Sequence, residues 1–202
     1  MPTYTWRMRI GFISLKGGVG KTTLSVHTAF FFQQRGHAVQ LVDGDPIESC
    51  HRWQASGAGF PFPVSYPNDP WTAEHIVFDT EAHPEVEDLE ALAETLDVAI
   101  IPVTPNVDAI DAALMTLPAL SQGKAEIVAV VNAAPPANLP DGCNVQAALR
   151  NAGMTTAETI LRKRKIYEYA RLEGKAVYSV KSGGMRAWLE FEAFAREVLH
   201  GI

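Results

Sequence analysis

The residues best suited to chemistry form a glycine-rich loop near the start of the chain, between a predicted strand and a predicted helix. In this position, backbone amides beside the glycines and the helix N-terminus can bind phosphate oxygens. Lys21 would reach the β- and γ-phosphates, and the Thr22 hydroxyl would be a Mg²⁺ ligand. The sequence therefore predicts a nucleotide phosphate site formed by Lys16, Gly17, Gly18, Val19, Gly20, Lys21, Thr22 and Thr23.

This loop departs from the strict pattern GxxxxGK[ST] at its start. Leu15 stands where the pattern has its first glycine, and Lys16 follows it. A second lysine beside the phosphates could act as another positive clamp on the γ-phosphate or its leaving group. We therefore expect Lys16 to take part in the chemistry together with Lys21.

Carboxylates end two of the apolar runs that follow. Asp43 and Asp45 belong to the segment LVDGDP, and Asp79 ends the run IVFD. At strand ends that face a phosphate site, such groups can organise the attacking water and the waters of a Mg²⁺ shell. We expect Asp79 to hold a water of that shell. Asp-Gly-Asp-Pro also suits a solvated turn, which is the alternative interpretation for Asp43 and Asp45.

Short β-rich runs alternating with longer helical stretches must position these residues, a pattern typical of a parallel sheet. We predict an α/β fold, a doubly wound and mostly parallel sheet with helices on both faces. The predicted strands are Arg9–Ser14, Ala38–Asp43, His75–Asp79, Val98–Val103, Ile127–Asn132 and a short one near Thr156–Ile160. The predicted helices are Lys21–Arg35, Glu85–Thr95, Asp108–Leu120, one near Val145–Asn151, a basic helix Lys163–Glu173 and a terminal helix Met185–Leu199. Loops are predicted over Ser56–Trp71 and Pro135–Asp141.

Composition favours one globular domain over residues 1–202. The chain is 47% hydrophobic and 20% charged, which allows one core large enough for a nucleotide site. About ten residues precede the first strand, so we expect no N-terminal DNA-binding domain. The sequence has no signal-peptide pattern and no long apolar run, which predicts a cytoplasmic protein without a membrane role.

Neither the cysteines nor the histidines show the spacing of metal ligands. Cys50 and Cys143 form no CxxC pair, so we expect a reducing compartment and no zinc or iron–sulfur site. No HExxH motif is present, and we expect each histidine to be a surface or packing residue. The six are His27, His37, His51, His75, His83 and His200.

Charge is unevenly distributed along a chain whose net charge is −6. Residues 150–186 contain nine Lys or Arg against three Glu, whereas residues 74–111 contain eleven acidic residues and no Lys or Arg. The basic segment could bind DNA phosphates without sequence specificity. The alternatives are a solvated helix face or contacts with the acidic half of another subunit. The candidate DNA contacts are Arg162, Lys163, Arg164, Lys165 and Arg171.

The loop sequence KGGVGKTT resembles the deviant Walker A motif of the ParA/MinD family of ATPases. In this family the first lysine reaches across a dimer to the partner subunit's ATP, which implies that role for Lys16. The segment DGDP resembles the family motif DxDP, implying that Asp45 positions the attacking water and that Asp43 lies nearer the metal. The run ending at Asp79 resembles a Walker B strand.

Further along the chain, the segment Ala99–Pro105 resembles the family's fourth strand and its turn at the dimer face. The resemblance implies that Asn132 contacts adenine, since an amide can hydrogen-bond both a donor and an acceptor on a base edge; a strand-ending Asn in a turn is the alternative. After Thr80 the chain continues with Glu81, where many members have Pro or Gly. This departure leaves the movement of the γ-phosphate switch open.

The short ParA subgroup of ParF type is the most similar, because the segment from Asp45 to Trp53 also resembles it. Trp53 itself is expected to be a packing residue. The resemblance implies an ATP- and Mg²⁺-dependent ATPase that forms a homodimer, and in some cases a polymer, on binding ATP. It implies nonspecific DNA binding at the nucleoid and hydrolysis stimulated by a ParB-like or cargo adaptor protein, to segregate a plasmid, chromosome or other cargo.

Three competing functions are weighed against this one. A metabolic P-loop ligase acting on a small acid would share the loop and the DxD motif. An electron-transfer reductase of the same superclass needs cysteines at the dimer axis, which Cys50 and Cys143 do not match. A MinD-like membrane helix is disfavoured, because the terminal helix carries Glu190, Glu192 and Glu197 and these would be repelled by anionic lipid.

Overall fold

The computed structural model describes residues 7–82 and 84–199. The strands are β1 (Met8–Phe12), β2 (Val39–Gly44), β3 (Val64–Ser65), β4 (His75–Thr80), β5 (Val98–Val103) and β6 (Glu126–Val131). The helices are α1 (Lys21–Gln34), α2 (Ser49–Ala55), α3 (Val86–Thr95), α4 (Val107–Leu120), α5 (Asp141–Asn151), α6 (Ile166–Leu172) and α7 (Gly184–Val198), with a short 3₁₀ helix at Val177–Ser179. The predictions for His83 and His200 fall outside the described residues.

All six strands form one parallel sheet in the order β3-β2-β4-β1-β5-β6. The chain leaves β1 towards one edge, returns through β4, and then adds β5 and β6 on the other side. In open parallel sheets, ligands bind at the carboxyl ends of the strands where the order reverses. The glycine-rich loop leaves β1 at this position, between β4 and β5.

Alternate side chains of β2, β4, β5 and β6 enter two separate cores, which confirms the predicted doubly wound architecture. In β1, Ile10 and Phe12 lie in the core that α1, α6 and α7 cover. In β4, Ile76 and Phe78 lie in the opposite core, which α3, α4 and α5 cover. Burial on both faces explains why the strands are continuous apolar runs and do not alternate with polar residues.

Three predicted elements have different bounds or contents in the structure. The loop predicted over Ser56–Trp71 contains the edge strand β3, and the unpredicted helix α2 precedes it. The basic helix begins only at Ile166, so Lys163, Arg164 and Lys165 lie in the segment before it. Helix α5 starts at Asp141, several residues earlier than expected.

The short strand predicted near Thr156–Ile160 is wrong. This segment runs beside β6 but forms only isolated bridges, at Thr156 and at Arg162. Between them, the backbone amides of Glu158 and Thr159 donate to the carboxylate of Glu197 on α7. Glu197 therefore binds the amide of Thr159, which a continuous ladder with β6 would use.

His27 is buried and links the first helix to the C-terminal part of the chain through hydrogen bonds. Its Nε2 accepts from the backbone N–H of Val177 at 3.0 Å, and its Nδ1 lies 2.6 Å from the carbonyl oxygen of Thr23. Nδ1 therefore carries the proton in the neutral ring. Burial lowers the pKa of His27 from 6.5 to about 4, although the Thr23 carbonyl opposes the shift.

We expect His27 to make the fold less stable in mild acid. The unfolded chain binds a proton near pH 6.5 and the folded chain only near pH 4, so stability is lost as pH falls through this window. Between pH 7 and pH 5 the loss amounts to about 2 kcal/mol. Urea unfolding at both pH values should show that His27→Gln removes this part of the pH dependence. An unchanged difference between the two pH values in the variant would contradict the assignment.

Candidate phosphate and metal site

The glycine-rich loop joins the end of β1 to the first turn of α1. Gly18 and Gly20 have φ values of 76° and 100°, which favour glycine. A Cβ atom on Gly20 would lie 2.2 Å from Nδ2 of Asn132, so a larger residue cannot fit there without moving this amide. The loop conformation therefore depends on both glycines, and it precedes the helix N-terminus that can bind phosphate.

Asn132, which follows β6, contacts the loop in this structure. Its Nδ2 donates to the carbonyl oxygen of Val19 at 2.7 Å. The amide therefore holds the loop from the side of β6 and leaves its oxygen to other partners. The adenine contact of Asn132 stays a prediction, and the contact with Val19 is a supporting role that the sequence did not indicate.

Lys21 is buried at the start of α1 beside an acidic cluster. Burial lowers its pKa from 10.5, whereas the negative charges of Asp79, Asp45 and Glu81 oppose this shift. The lysine faces these carboxylates from the first turn of the helix, as the phosphate-binding prediction requires. Its ammonium group is the positive charge that would balance phosphate in the site.

Asp79 ends β4 in the interior of this cluster. Its Oδ2 accepts from the Cys50 thiol at 3.2 Å, and its Oδ1 is buried with no hydrogen-bond partner. Burial raises the pKa of Asp79 from 3.8 to about 6, although Thr22, Cys50 and Ser25 oppose the shift. A buried carboxylate oxygen without a partner is costly unless a cation or an ordered water binds it.

Asp43, on β2, accepts hydrogen bonds from the start of helix α2 with one of its carboxylate oxygens. Its Oδ2 accepts from the backbone N–H groups of Cys50 at 2.9 Å and His51 at 3.0 Å, and it lies 3.0 Å from Nδ1 of His51. These contacts satisfy the free amides at the start of α2. The direct contacts of Asp43 are therefore structural, and its predicted role near the metal stays a prediction.

Asp45 lies beyond the strand, half-buried at the turn into α2. Its Oδ1 accepts from the backbone N–H of Ile47 at 2.9 Å, and its Oδ2 lies 3.4 Å from the hydroxyl of Ser49. Glu48 completes the turn with a φ of 56°. Both the turn interpretation and the water-positioning prediction fit this placement, because the carboxylate still contributes to the field at Lys21.

Cys50 is a member of the site that sequence reasoning missed. Its buried thiol, Asp43 and Asp79 offer donor atoms within 4.8 Å of one another. Burial and then the charges of Asp79 and Asp43 raise the pKa of this thiol. The only signal in the sequence was its position a few residues after DGDP. Oxygen donors of Asp79 and Thr22 suit Mg²⁺, and the orphaned Oδ1 of Asp79 supports that fit.

Lys16 points away from Lys21 in this structure. Its Nζ donates to Oδ1 of Asn106 at 2.7 Å and lies 3.2 Å from Oδ2 of Asp108. Asn106 also caps helix α4 by accepting from the backbone N–H of Ala109 at 3.0 Å. Both lysines of the loop are thus present at the site, but Lys16 is held by the start of α4 within its own chain.

An open groove of about 540 Å³ runs along the loop between β5 and β6. Lys16, Gly17 and Gly18 line one side, and Lys163 contributes a positive charge from the opposite side. This groove can hold the remainder of a nucleotide whose phosphates lie on the loop.

The basic segment divides into two groups with different surroundings. Arg162 donates to the carbonyl oxygen of Pro135 at 2.9 Å, and Arg164 forms a 2.6 Å ion pair with Glu190 of α7. These two arginines are half-buried and support the fold. Lys165 and Arg171 are exposed, as is Lys163 at the groove. The structure therefore leaves three of the five candidate DNA contacts accessible.

A second pocket of about 380 Å³ adjoins Asp79 on the side of α3. Trp71, Phe78 and Leu92 give it apolar walls, and Glu81 and Asp88 add acidic groups. The described residues that line it include no Lys, Arg or His. An acidic molecule would be repelled by the carboxylates of this pocket.

Comparison with known proteins links part of the chain to nucleotide binding. A family model for the CobQ/CobB/MinD/ParA nucleotide binding domain matches residues 10–59, which contain the loop, DGDP and α2. The Maintenance of carboxysome distribution protein A of Gloeobacter kilaueensis is 27% identical over 209 residues, with 98% of this chain and 94% of the relative covered.

Among the described residues, no helix is long and apolar enough to span a bilayer.

Solved structures show the same fold. An ATP complex of a McdA variant from Cyanothece matches with a TM-score of 0.75 and 13% identity over 98% of each chain. The septum site-determining protein MinD of Pyrococcus horikoshii, solved with Mg-ADP, matches with a TM-score of 0.67 and 17% identity over 92% of this chain and 94% of that one. These likenesses show that the chain has the fold of the ParA/MinD ATPases, and that residues 10–59 resemble their nucleotide binding domain.

Proposed function

We propose that this protein is an ATP-dependent positioning ATPase of ParA type. It dimerises on binding ATP, and after hydrolysis it releases the DNA along which it positions its cargo. The observation that carries the proposal is a buried Lys21 beside Asp79, whose buried Oδ1 has no hydrogen-bond partner, with a second loop lysine, Lys16, at the groove. Lys21 serves the site of its own chain, whereas Lys16 lies at the rim of the groove, where a second subunit can reach it.

Different residues of the site have different roles in phosphoryl transfer. Backbone amides of Gly17, Gly18 and Gly20 and the ammonium of Lys21 bind the phosphates. Thr22 and Asp79 would hold Mg²⁺, which would supply positive charge to neutralise the charge that develops on the phosphates. Asp45 orients the attacking water from the turn after β2, and Asp43 fixes α2 behind it.

Dimer formation requires Lys16 to leave its own α4. The contacts with Asn106 and Asp108 hold the lysine in the monomer, and the Asp108 side chain is 87% exposed. An exposed ion pair contributes little, so ATP of a partner subunit can displace it. Dimerisation therefore exchanges a weak contact within the chain for a contact with phosphate across the interface.

The cargo is proposed from the relatives. Two proteins named for the maintenance of carboxysome distribution match nearly the whole chain, at 27% and 26% identity. This favours a protein compartment over a plasmid or chromosome, with an adaptor protein that stimulates hydrolysis. The track would be the nucleoid, which the dimer binds without sequence specificity. A polymer is the alternative ATP state, and particle size with ATP separates it from a dimer.

DNA binding is proposed for the exposed cations only. Lys163, Lys165 and Arg171 can approach phosphates, and dimerisation doubles their number. Arg162 and Arg164 are committed to Pro135 and Glu190, so their replacement is expected to destabilise the C-terminal region before it affects DNA.

Fluorescence anisotropy of a random-sequence DNA duplex tests this proposal. We expect binding with ATP–Mg²⁺ only, weakened by salt, and little binding with ADP–Mg²⁺ or without nucleotide. In a double variant with Lys165→Ala and Arg171→Ala, the slope of log K against log salt concentration should become shallower by roughly one unit per lost phosphate contact. Lys124→Ala, an exposed lysine at the turn before β6, is the matched control. Absence of binding in every nucleotide state would eliminate the nucleoid track and favour the polymer.

A further inference from the structure

A second cluster of side chains that can bind metals lies at the amino ends of the strands, at the opposite end of the sheet from the nucleotide site. His37 follows α1 in the connection to β2, and Glu74 and His75 lie at the start of β4. The backbone N–H of His75 donates to the carbonyl oxygen of Ala38 at 3.0 Å, which fixes the two segments side by side. The amino ends of two adjacent parallel strands thus bring together residues 37 positions apart.

The three side chains converge on one point. Nδ1 of His37 lies 3.6 Å from Oε2 of Glu74, and Nε2 of His75 lies 3.8 Å from Oε1 of the same carboxylate. The ligand atoms of all three residues lie within 4.8 Å of one another. Ligands bound at about 2.0–2.2 Å in a tetrahedral site lie about 3.3–3.5 Å apart, so only a small closure is needed.

The environment suits a metal site with access from solvent. His75 is fully buried and stacks on Phe32 with 4.1 Å between ring centroids, which fixes its orientation. An imidazole ring binds metals in its neutral form. His37 and Glu74 are partly exposed, with side-chain exposures of 33% and 21%, and leave the cluster open on one side.

We propose that His37, Glu74 and His75 form a binding site for a divalent transition metal ion of the Zn²⁺ or Co²⁺ class, separate from the Mg²⁺ site. Two imidazoles and one carboxylate suit these metals, whereas Mg²⁺ prefers oxygen ligands. A water molecule would complete a tetrahedral shell on the exposed side. The bound ion links the turn after α1 to β4 and stabilises this edge of the sheet. The proposal does not depend on nucleotide binding.

Titration of metal-free protein with Co²⁺, followed by visible absorption, tests the site directly. We expect one equivalent to give the intense d–d bands of a four-coordinate ion. His37→Ala and Glu74→Gln should each weaken binding by at least about tenfold. Both side chains are partly exposed, so we expect both variants to fold, and their unfolding temperatures without metal check this. Zn²⁺ should raise the unfolding temperature of the wild type and leave that of the two variants unchanged.

Two control variants separate this cluster from the other donor set. Cys50→Ala and His51→Gln alter the cluster around Asp43 and Asp79 and should leave Co²⁺ affinity unchanged. Equal Co²⁺ affinity in the wild type and in both His37→Ala and Glu74→Gln would overturn the proposal. Loss of binding in Cys50→Ala, or a thiolate-to-cobalt charge-transfer band, would overturn it as well, because the ion would then lie at the nucleotide edge.

Discussion

Replacing Lys21 with Ala is expected to lower ATP affinity by roughly 10³-fold, the largest single effect in this protein. The ammonium would contact two phosphates, and hydrogen bonds to charged groups contribute about 1.5–3 kcal/mol each. Removal also leaves Asp79, Asp45 and Glu81 facing the phosphates without the positive charge that now balances them. Equilibrium titration with a fluorescent ATP analogue in the presence of Mg²⁺ measures the change.

The control for this experiment is Lys124→Ala, which removes the same charge from an exposed turn. It should bind the analogue as the wild type does. Thermal unfolding without nucleotide shows whether the Lys21 variant still folds, as we expect, because the cluster can take up protons on Asp79, whose pKa is already raised. Wild-type affinity in a folded Lys21→Ala protein would refute the phosphate-binding role of the loop.

Replacing Lys16 with Ala is expected to leave nucleotide binding by the monomer nearly unchanged and to abolish the ATP-dependent dimer. The reason is geometric: Nζ of Lys16 is held by Asn106 and Asp108 at the groove rim, while Lys21 lies in the acidic cluster of its own chain. Sedimentation velocity with a non-hydrolysable ATP analogue and Mg²⁺ distinguishes monomer from dimer, and hydrolysis should disappear together with the dimer.

Asp108→Asn is expected to have the opposite effect on dimerisation. It weakens the contact that holds Lys16 in the monomer but keeps the lysine itself. Because the carboxylate is largely exposed, its contribution is at most about 1 kcal/mol, and we expect up to about fivefold tighter dimerisation. A Lys16→Ala protein that still dimerises with ATP would eliminate the intermolecular role of this lysine.

The sequence by itself predicted most of the sheet, the phosphate loop and the resemblance to the ParA/MinD ATPases. Five of the six strands are apolar runs whose residues must be buried on both sides, so their positions follow from local composition. The loop between β1 and α1 is likewise a local arrangement, since the glycines, Lys21 and Thr22 are neighbours in the chain. Even the carboxylates of Asp43 and Asp79 follow from the ends of their strands, because parallel strands end at one edge.

Where the sequence misled, longer-range contacts were responsible. The strand predicted near Thr156–Ile160 has the right composition, but Glu197 from α7 binds two of its amides. The basic segment looked uniform, yet Arg162 and Arg164 turn inward to Pro135 and Glu190. Local patterns do not contain the partners that made these differences.

Only the tertiary structure decided how the site is supported and what else the fold brings together. Asn132 supports Val19 from 113 positions away, and the Lys16 contact with Asp108 joins residues 92 positions apart. The convergence of His37 and His75 is set by the pairing of β2 with β4. Such contacts depend on strand order and on the crossovers between strands, which fix distances that no local spacing encodes.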